Sequence, residues 1–268
     1  MKAVILARGL GTRMKAQDEA AALSAEQRAA ADTGVKALVP LTDRPFLDYI
    51  LSALADAGCT KICLVIGPEH YALRDRYTKD VRPARFEVSF AIQEKPLGTG
   101  NAVLAAEGFA AGDEFLMANS DNYYPLDVLR TLVEMGRPGT VLFSPEGLAA
   151  HSNIEPARIL AFALGRIGAD GCLDALVEKP DAAALASFGN ERHVSMNCWR
   201  FPSSIFDHCR ALKPSVRGEL ELTDAITASI ASGVRYTVLT SDKGVLDLSR
   251  RGDIDAVRRS LEDVKVVL

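Results

Sequence analysis

Short apolar runs alternate with helix-like patterns through the first half of the chain. Lys61–Ile66 (KICLVI) is an almost continuous apolar run, typical of a strand buried on both faces of a parallel sheet. Before it come a strand candidate at Lys2–Leu6 and an apolar stripe at helical spacing over Phe46–Leu54, which Gly58 ends. The alternation predicts further helices over Glu69–Tyr77, Thr99–Glu107 and Asp127–Met135, and further strands over Phe86–Gln93, Glu114–Asn119 and Thr140–Ser144. Such alternation predicts an α/β fold with a doubly wound, mainly parallel, Rossmann-like sheet.

The second half of the chain has a more mixed pattern. It predicts strands over Arg158–Ala163, Leu173–Glu178, Val194–Phe201 and Tyr236–Thr240, and helices over Ser203–Leu212, Leu222–Ala231 and Ile254–Leu261. No linker rich in Pro or Ser separates the halves. We therefore expect a single domain over residues 1–268, in which residues 146–268 form a mixed, substrate-binding extension of residues 1–145.

Composition narrows the range of partners. The 268 residues are 48% hydrophobic and 25% charged, with a formal net charge of -4, which is ordinary for a globular protein. Without a long Lys/Arg run or a bilayer-length apolar run, we expect no nucleic-acid and no membrane partner. The five cysteines form neither a paired framework nor a CxxC site, so free thiols in the reducing cytoplasm are expected.

A glycine-rich stretch, LARGLGTRM, directly follows the first strand candidate. Gly9 and Gly11 allow a sharp turn that brings backbone N–H groups close to an anion, while Thr12 adds a hydroxyl and Arg13 a cation. This loop position in an α/β sheet is where a nucleotide phosphate binds. The stretch lacks the third glycine of GxGxxG and the GK[ST] of a P-loop, so a plain strand-to-helix turn stays open.

LARGLGTRM resembles the signature of the sugar-1-phosphate nucleotidyltransferases, or nucleotide-sugar pyrophosphorylases, such as the glucose-1-phosphate thymidylyl- and uridylyltransferases. VKALVPLTDRPFLDYIL resembles the family's next motif and puts Lys36 in the place of its lysine. The resemblance implies that Arg13 and Lys36 hold a nucleoside triphosphate and neutralise the leaving pyrophosphate. It also implies nucleotide-binding roles for the loop residues Leu6, Gly9, Gly11 and Thr12.

QEKPLGTGNAV resembles the family segment that reads the nucleobase. The resemblance implies that Gln93 bonds the base edge and that Gly98 leaves room for the ring, with Thr99 in the same turn. A side-chain amide offers both a donor and an acceptor, which suits a uracil or thymine edge and favours UTP or dTTP. GTP and CTP stay open, as does a plain helix start with Thr99 as its cap.

Two aspartates resemble the family's Mg²⁺ ligands. Asp121 ends the apolar strand in FLMANSDNYYP, where Ser120 replaces the family's commoner glycine. Asp247 lies in GVLDLSRRGDI, whose following residues depart from the family's Gly-Thr pattern. The resemblance implies that both carboxylates bind Mg²⁺ as the cofactor, and a turn or cap role for Asp121 stays open.

The second half resembles the sugar-binding half of the family. In LVEKP, the resemblance makes Glu178 an acceptor for sugar hydroxyls and Lys179 a catalytic residue that binds the sugar phosphate. VSMNCWRF supplies Asn197 as a polar sugar contact, and LKPSVRGELELTDAI supplies Arg217 for the sugar phosphate. Glu219 in the same segment is interpreted as a charge at a helix start.

These motifs occur in the family's order from Leu6 to Asp247. The implied reaction joins a nucleoside triphosphate to a sugar 1-phosphate and releases pyrophosphate. One alternative is a glycosyltransferase, which would need a DxD pair, but Tyr123 stands two residues after Asp121. Another is a non-catalytic nucleotide-sugar-binding homologue, against which the presence of Arg13, Lys36 and Asp121 argues.

Two departures from the family pattern have open consequences. Arg8 stands where the family usually has a small residue, so it either adds a phosphate contact or points outward. The Ala-rich segment Ala16–Asp32 lengthens the stretch before Lys36 and is expected to form a surface helix or flap that Gly34 ends. It could cover the nucleotide or serve as a homo-oligomer contact.

Overall fold

The computed structural model describes residues 1–9, 11–16, 18, 21–189 and 191–268. Its strands are β1 (Lys2–Leu6), β2 (Lys61–Ile66), β3 (Glu87–Ile92), β4 (Phe115–Asn119), β5 (Asn122–Tyr123), β6 (Gly139–Phe143), β7 (Ala163–Ile167), β8 (Leu173–Val177), β9 (His193–Phe201), β10 (Thr237–Ser241) and β11 (Leu246–Asp247). Its α-helices are α1 (Thr12–Lys15), α2 (Ala25–Thr33), α3 (Phe46–Asp56), α4 (Tyr71–Asp75), α5 (Thr99–Ala105), α6 (Glu107–Ala110), α7 (Leu126–Glu134), α8 (Pro145–His151), α9 (Pro156–Ile159), α10 (Ala182–Ser187), α11 (Ile205–Arg210), α12 (Leu222–Ala231) and α13 (Asp253–Ser260).

The main sheet has the order β10-β6-β9-β4-β1-β2-β3, with β7 and β8 added beside β9. Strands β1 to β4 pair in parallel, as do β6 and β10. Because β9 runs against both β4 and β6, these two strands point the same way. The prediction of a mainly parallel sheet is confirmed, with β8 and β9 reversed.

Side chains of β4 alternate between two buried layers, as the two-residue period of a strand requires. Leu116 and Ala118 belong to one layer, which also includes residues of α3 and α7. Phe115 and Met117 belong to the other, together with residues of α5, α11 and α12. Helices therefore cover both faces of the sheet, as the doubly wound pattern predicts.

The second half of the chain contributes β9 to the middle of the first half's sheet, between β4 and β6. The strand predicted over Arg158–Ala163 is wrong. Pro156 begins the short helix α9 instead, because proline fits the first helical position, where no N–H bond is lost. The strand β7 starts only at Ala163.

The helix expected within Ala16–Asp32 is confirmed for its second part, which forms α2. Ser24 and Gln27 form a reciprocal capping box at its start, and Gly34 ends it in the left-handed conformation at φ 77°. Residues 17, 19 and 20 of this segment lie outside the described residues. Within the described ranges, no helix is long and apolar enough to cross a membrane.

Candidate active site

A cavity of about 370 Å³ opens at the carboxyl ends of β1, β3 and β4. This is the edge at which parallel α/β sheets bind their ligands. Ten of the predicted site residues line it: Leu6, Gly9, Gly11, Thr12, Arg13, Lys36, Gln93, Gly98, Thr99 and Asp121. The fold thus brings together residues from positions 6 to 121 of the sequence.

The glycine-rich loop forms one wall of this cavity. Gly11 has φ 62°, and a Cβ there would collide with the backbone of Gly34, so the position requires glycine. A Cβ at Gly9 would meet nothing within 4 Å, so this backbone has open space beside it. Arg13 is exposed at the cavity, and the described residues give it no hydrogen bond or ion pair.

Gln93 follows the end of β3 and is buried, with 5% of its surface exposed. Its side-chain amide nitrogen donates to the carbonyl oxygen of Gly98 at 3.1 Å and to Asn101 Oδ1 at 2.9 Å. The amide oxygen Oε1 is not engaged by any donor in the described part of the chain. Gln93 therefore offers an acceptor to whatever fills this end of the cavity.

The Gly98 turn is closely packed against the segment before α12. A Cβ at Gly98, which has φ 116°, would lie 2.7 Å from the backbone nitrogen and oxygen of Leu220. Gly98 itself caps α5, whereas Thr99 Oγ1 accepts from the backbone N–H of Leu222 at 3.1 Å. The alternative of Thr99 as helix cap is therefore wrong, and the turn joins the two halves of the chain.

Lys36 and Asp121 form an ion pair at the cavity. Lys36 begins a 3₁₀ turn over Lys36–Leu38, two residues after Gly34, and Asp121 lies two residues after the end of β4. Lys36 Nζ donates to Asp121 Oδ2 at 2.6 Å, with 13% and 25% of the two side chains exposed. A cation and a carboxylate are thus held together beside the glycine-rich loop.

The antiparallel pairing of β5 with β11 brings Asp247 next to Asp121. Asp247 is the register partner of Asn122, and the backbone N–H of Leu248 donates to the carbonyl oxygen of Asp121 at 2.9 Å. Burial raises the pKa of Asp247, and the nearby charge of Asp121 raises it further. Asp247 is 3% exposed and does not line the cavity directly.

Polar groups hold both oxygens of Asp247. Arg158 Nη2 donates to Oδ2 at 3.1 Å, while Ser249 Oγ and Asn122 Nδ2 donate to Oδ1 at 3.0 and 3.2 Å. Sequence patterns missed Arg158 because its segment was interpreted as a strand. Pro156, two residues earlier, is the signal that could have indicated a helix start.

The two aspartates fit a Mg²⁺ ion in their donor chemistry. Both offer hard oxygen ligands of the kind that Mg²⁺ prefers, and in this structure Lys36 and Arg158 balance their negative charge. Among the described residues, no group of three or more His, Cys, Asp or Glu side chains suits a metal. Mg²⁺ commonly uses one or two carboxylates and takes its other ligands from substrate phosphates and water.

The predicted sugar-binding residues Glu178, Lys179, Asn197 and Arg217 do not line this cavity. Of the described residues in the second half of the chain, Glu219 lines it. Glu178 follows β8, and burial is the main cause that raises the pKa of its carboxyl, against the lowering effect of Lys179 and Arg217. The positive charges of Lys179 and Arg217 therefore both act on the Glu178 carboxyl. Arg217 also donates to Glu221 Oε1 at 2.8 Å.

Two of the predicted sugar-half residues have left-handed backbone conformations. Lys179 has φ 43° and Asn197 has φ 56°, and for a non-glycine residue this conformation is uncommon. Strained backbone of this kind clusters at functional sites. Asn197 lies in β9, and its carbonyl oxygen accepts from Tyr124 Oη at 3.3 Å.

Arg8 turns inward rather than outward. Its side chain is 7% exposed, and its guanidinium donates to the carbonyl oxygen of Gln93 and approaches Glu69 Oε1 at 3.4 Å. The outward orientation left open by the sequence is therefore wrong. Arg8 lines the same cavity as Gln93.

Comparison with known proteins identifies the family. The chain matches the Nucleotidyl transferase family over residues 2–250. It is 30% identical over 271 residues to a glucose-1-phosphate thymidylyltransferase of Streptomyces antibioticus, covering 99% of this chain and 67% of that protein. The chain therefore belongs to the nucleotidyl transferase family, and the resemblance to sugar-1-phosphate nucleotidyltransferases is confirmed at the family level.

Other relatives agree with this assignment. A low-salt glycan biosynthesis nucleotidyltransferase of Haloferax volcanii is 30% identical over 87% of this chain and 58% of its own length. The chain thus spans roughly 58% to 67% of these two relatives' own lengths.

Among solved structures, a UDP-glucose pyrophosphorylase complexed with UDP-glucose superimposes with a TM-score of 0.72 at 17% identity, covering 98% of this chain and 99% of that one. A UTP-bound UGPase of Acinetobacter baumannii superimposes with a TM-score of 0.73 at 19% identity, covering 99% of this chain and 95% of that one. These likenesses confirm the fold.

Proposed function

We propose that the protein is a Mg²⁺-dependent sugar-1-phosphate nucleotidyltransferase that uses UTP or dTTP. A phosphate oxygen of the sugar 1-phosphate attacks the α-phosphorus of the triphosphate. The bond from the α-phosphorus to the bridging oxygen breaks, and pyrophosphate leaves with the electron pair. The product is a nucleotide-diphosphate sugar.

One observation carries this proposal: the Lys36–Asp121 ion pair at 2.6 Å borders the cavity that the glycine-rich loop and Gln93 also line. An anion-binding loop, a base-edge acceptor and a paired cation in one cavity match the parts of a nucleoside triphosphate. The neighbouring Asp247 adds a second carboxylate. This combination favours a catalyst over a protein that only binds a finished nucleotide sugar.

Positioning and charge neutralisation are what this reaction needs from the chain. Two anions must be brought together, and negative charge builds up on the leaving pyrophosphate. In our proposal, Gly9 and Gly11 give backbone donors to the triphosphate, and Arg13 and Lys36 neutralise it. A bound Mg²⁺ would add Lewis-acid stabilisation of phosphate charge, with Asp121 and Asp247 as its protein ligands.

The sugar 1-phosphate is assigned to the second half. Lys179 and Arg217 supply the positive charge for its phosphate, and Glu178 accepts from sugar hydroxyls. The action of both positive charges on the Glu178 carboxyl supports the assignment. No covalent enzyme intermediate is required, so no nucleophilic side chain is invoked.

Pyrophosphate release, measured with a panel of triphosphates and sugar 1-phosphates in the presence of Mg²⁺, tests this function. We expect release only when both substrates are present, with UTP or dTTP as the better triphosphates. Release by triphosphate alone at an equal rate would indicate a hydrolase. No release with any pair would contradict the proposed function.

A further inference from the structure

Among the described residues, Gln93 keeps one polar group without a partner. Its backbone N–H donates to Ile66 O at 2.9 Å, and its carbonyl oxygen accepts from Arg8. Its side-chain nitrogen donates to Gly98 and Asn101. The remaining group is the acceptor Oε1, so a ligand at this end of the cavity must present an N–H to be read by Gln93.

Arg8, in contrast to Gln93, has hydrogen-bond donors without partners among the described residues. A guanidinium carries five N–H donors and no acceptor. Its Nε is buried without a hydrogen-bond partner among the described residues, and the approach of Nη2 to Glu69 Oε1 at 3.4 Å is long. The Arg8 side chain is 93% buried and has more N–H donors than acceptors around it to bond them. An acceptor on a bound ligand would therefore stabilise this buried cation.

These two side chains lie next to each other, because the Arg8 guanidinium bonds the main chain of Gln93. Both residues line the cavity, so a ligand there meets the free acceptor of Gln93 and the incompletely paired guanidinium of Arg8. The matching base edge has a ring N–H flanked by a carbonyl oxygen, as uracil and thymine have at N3 and O4 and guanine has at N1 and O6. With its ring in the same position, cytosine puts an unprotonated nitrogen against Oε1 and an amino group against the guanidinium.

We propose that Arg8 is a second base-reading residue, which donates to a ring carbonyl oxygen and selects keto bases against amino-bearing bases. This inference rests on the proposed function and gives its choice of UTP or dTTP a second reader, which rejects CTP. The guanidinium also bonds the main-chain carbonyl oxygen of Gln93, and this bond holds the two proposed base-reading residues in a fixed relative position. Discrimination of this kind is strong because the wrong base leaves buried polar groups unpaired.

Steady-state kinetics with UTP and CTP test the proposal, using one sugar 1-phosphate throughout. In Arg8→Met the side chain keeps a similar length but loses every donor, and in Arg8→Lys it keeps the charge with fewer donors. We expect the UTP-to-CTP ratio of kcat/KM to fall at least tenfold in Arg8→Met, mainly through KM, and less in Arg8→Lys. Arg130→Met is the matched control, since this exposed arginine also donates to a main-chain carbonyl, that of Asp56 at 3.2 Å.

Calorimetric titration with UMP and CMP gives the same ratio from binding alone, and a melting curve of each variant checks that it is folded. An unchanged ratio in folded Arg8→Met, or a wild-type preference for CTP, would overturn the inference. If the wild-type protein releases pyrophosphate but Arg8→Met keeps its ratio, only the role of Arg8 is wrong. If the wild-type protein releases none with any substrate pair, the proposed function itself fails.

Discussion

The two halves of the molecule build their candidate binding residues in different ways. In residues 1–145 these residues come from the ends of neighbouring parallel strands and from tight turns, and ten of them line one cavity. In residues 146–268 they come from the end of β8, from within β9 and from the loop before α12, and they do not line that cavity. The edge of the parallel sheet and the turns beside it gather the first set, whereas the second includes two residues with left-handed backbone, Lys179 and Asn197.

This difference has a functional consequence for the proposed reaction. The nucleotide half offers a formed cavity with its cation and carboxylate already paired. The sugar half offers an exposed Lys179 and an Arg217 that is engaged with Glu221. We therefore expect nucleotide binding without the sugar substrate, and expect changes in each half to affect the binding of one substrate.

The largest effect is expected at Asp121. Asp121→Asn removes the charge paired with Lys36 and one proposed Mg²⁺ ligand, so kcat should fall by about a hundredfold or more. EDTA should abolish turnover and added Mg²⁺ restore it. Asp43→Asn, at an exposed aspartate, is the control and should change little. Full activity of Asp121→Asn would remove this residue from the site.

The next largest effect is expected on the binding of the sugar 1-phosphate, when Lys179 in the second half is changed. Lys179→Ala should raise KM for the sugar 1-phosphate by about ten- to a hundredfold, the equivalent of a lost charged hydrogen bond of roughly 1.5–3 kcal/mol. KM for the triphosphate should stay nearly constant. Lys61→Ala, at another exposed lysine, serves as the control. A rise in the triphosphate KM instead would break the proposed division between the halves.

A smaller effect, on the stability of the fold, is expected when Gly98 is changed in the turn that joins the halves. Gly98→Ala forces a Cβ to 2.7 Å from the Leu220 backbone at φ 116°, so unfolding free energy should fall by more than the roughly 1–3 kcal/mol of backbone strain alone. Gly112→Ala is matched, because Gly112 has φ 87° but nothing within 4 Å of its would-be Cβ. Chemical denaturation of both variants measures the difference. Equal losses would show that the contact with Leu220 is unimportant.

The sequence predicted the first half well because its signals are local. KICLVI is a strand with the predicted bounds, and the stripe over Phe46–Leu54 lies within α3. A continuous apolar run and a helical stripe each depend on a few neighbouring residues. The cavity residues were assigned from the family resemblance of the motifs, and several of these motifs stand at the ends of the predicted parallel strands.

The features that sequence patterns missed depend on distant contacts. Strands β5 and β11 have two residues each, too few for any periodicity, yet their pairing brings Asp247 to Asp121. The insertion of β9 between β4 and β6 is likewise a non-local choice. The inward turn of Arg8 depends on the Gln93 carbonyl, 85 residues later in the chain.

The smallest effect is expected in the inserted segment. If α2 belongs to a flap near the triphosphate, hydrogen exchange of residues 25–33 should slow when nucleotide is added. The helix contacts the body through Gln27 Nε2, which donates to Pro40 O at 3.0 Å, so the change should be modest. Identical exchange with and without nucleotide would instead favour a surface helix or a contact between copies of the chain.

Calorimetric titration with UTP and Mg²⁺ alone tests the division between the halves most directly. The proposal assigns Lys36 to the triphosphate and Lys179 to the sugar phosphate. Lys36→Ala should therefore weaken UTP binding by about ten- to a hundredfold, while Lys179→Ala should bind UTP as the wild-type protein does. Loss of UTP affinity in Lys179→Ala, with wild-type affinity in Lys36→Ala, would contradict the account.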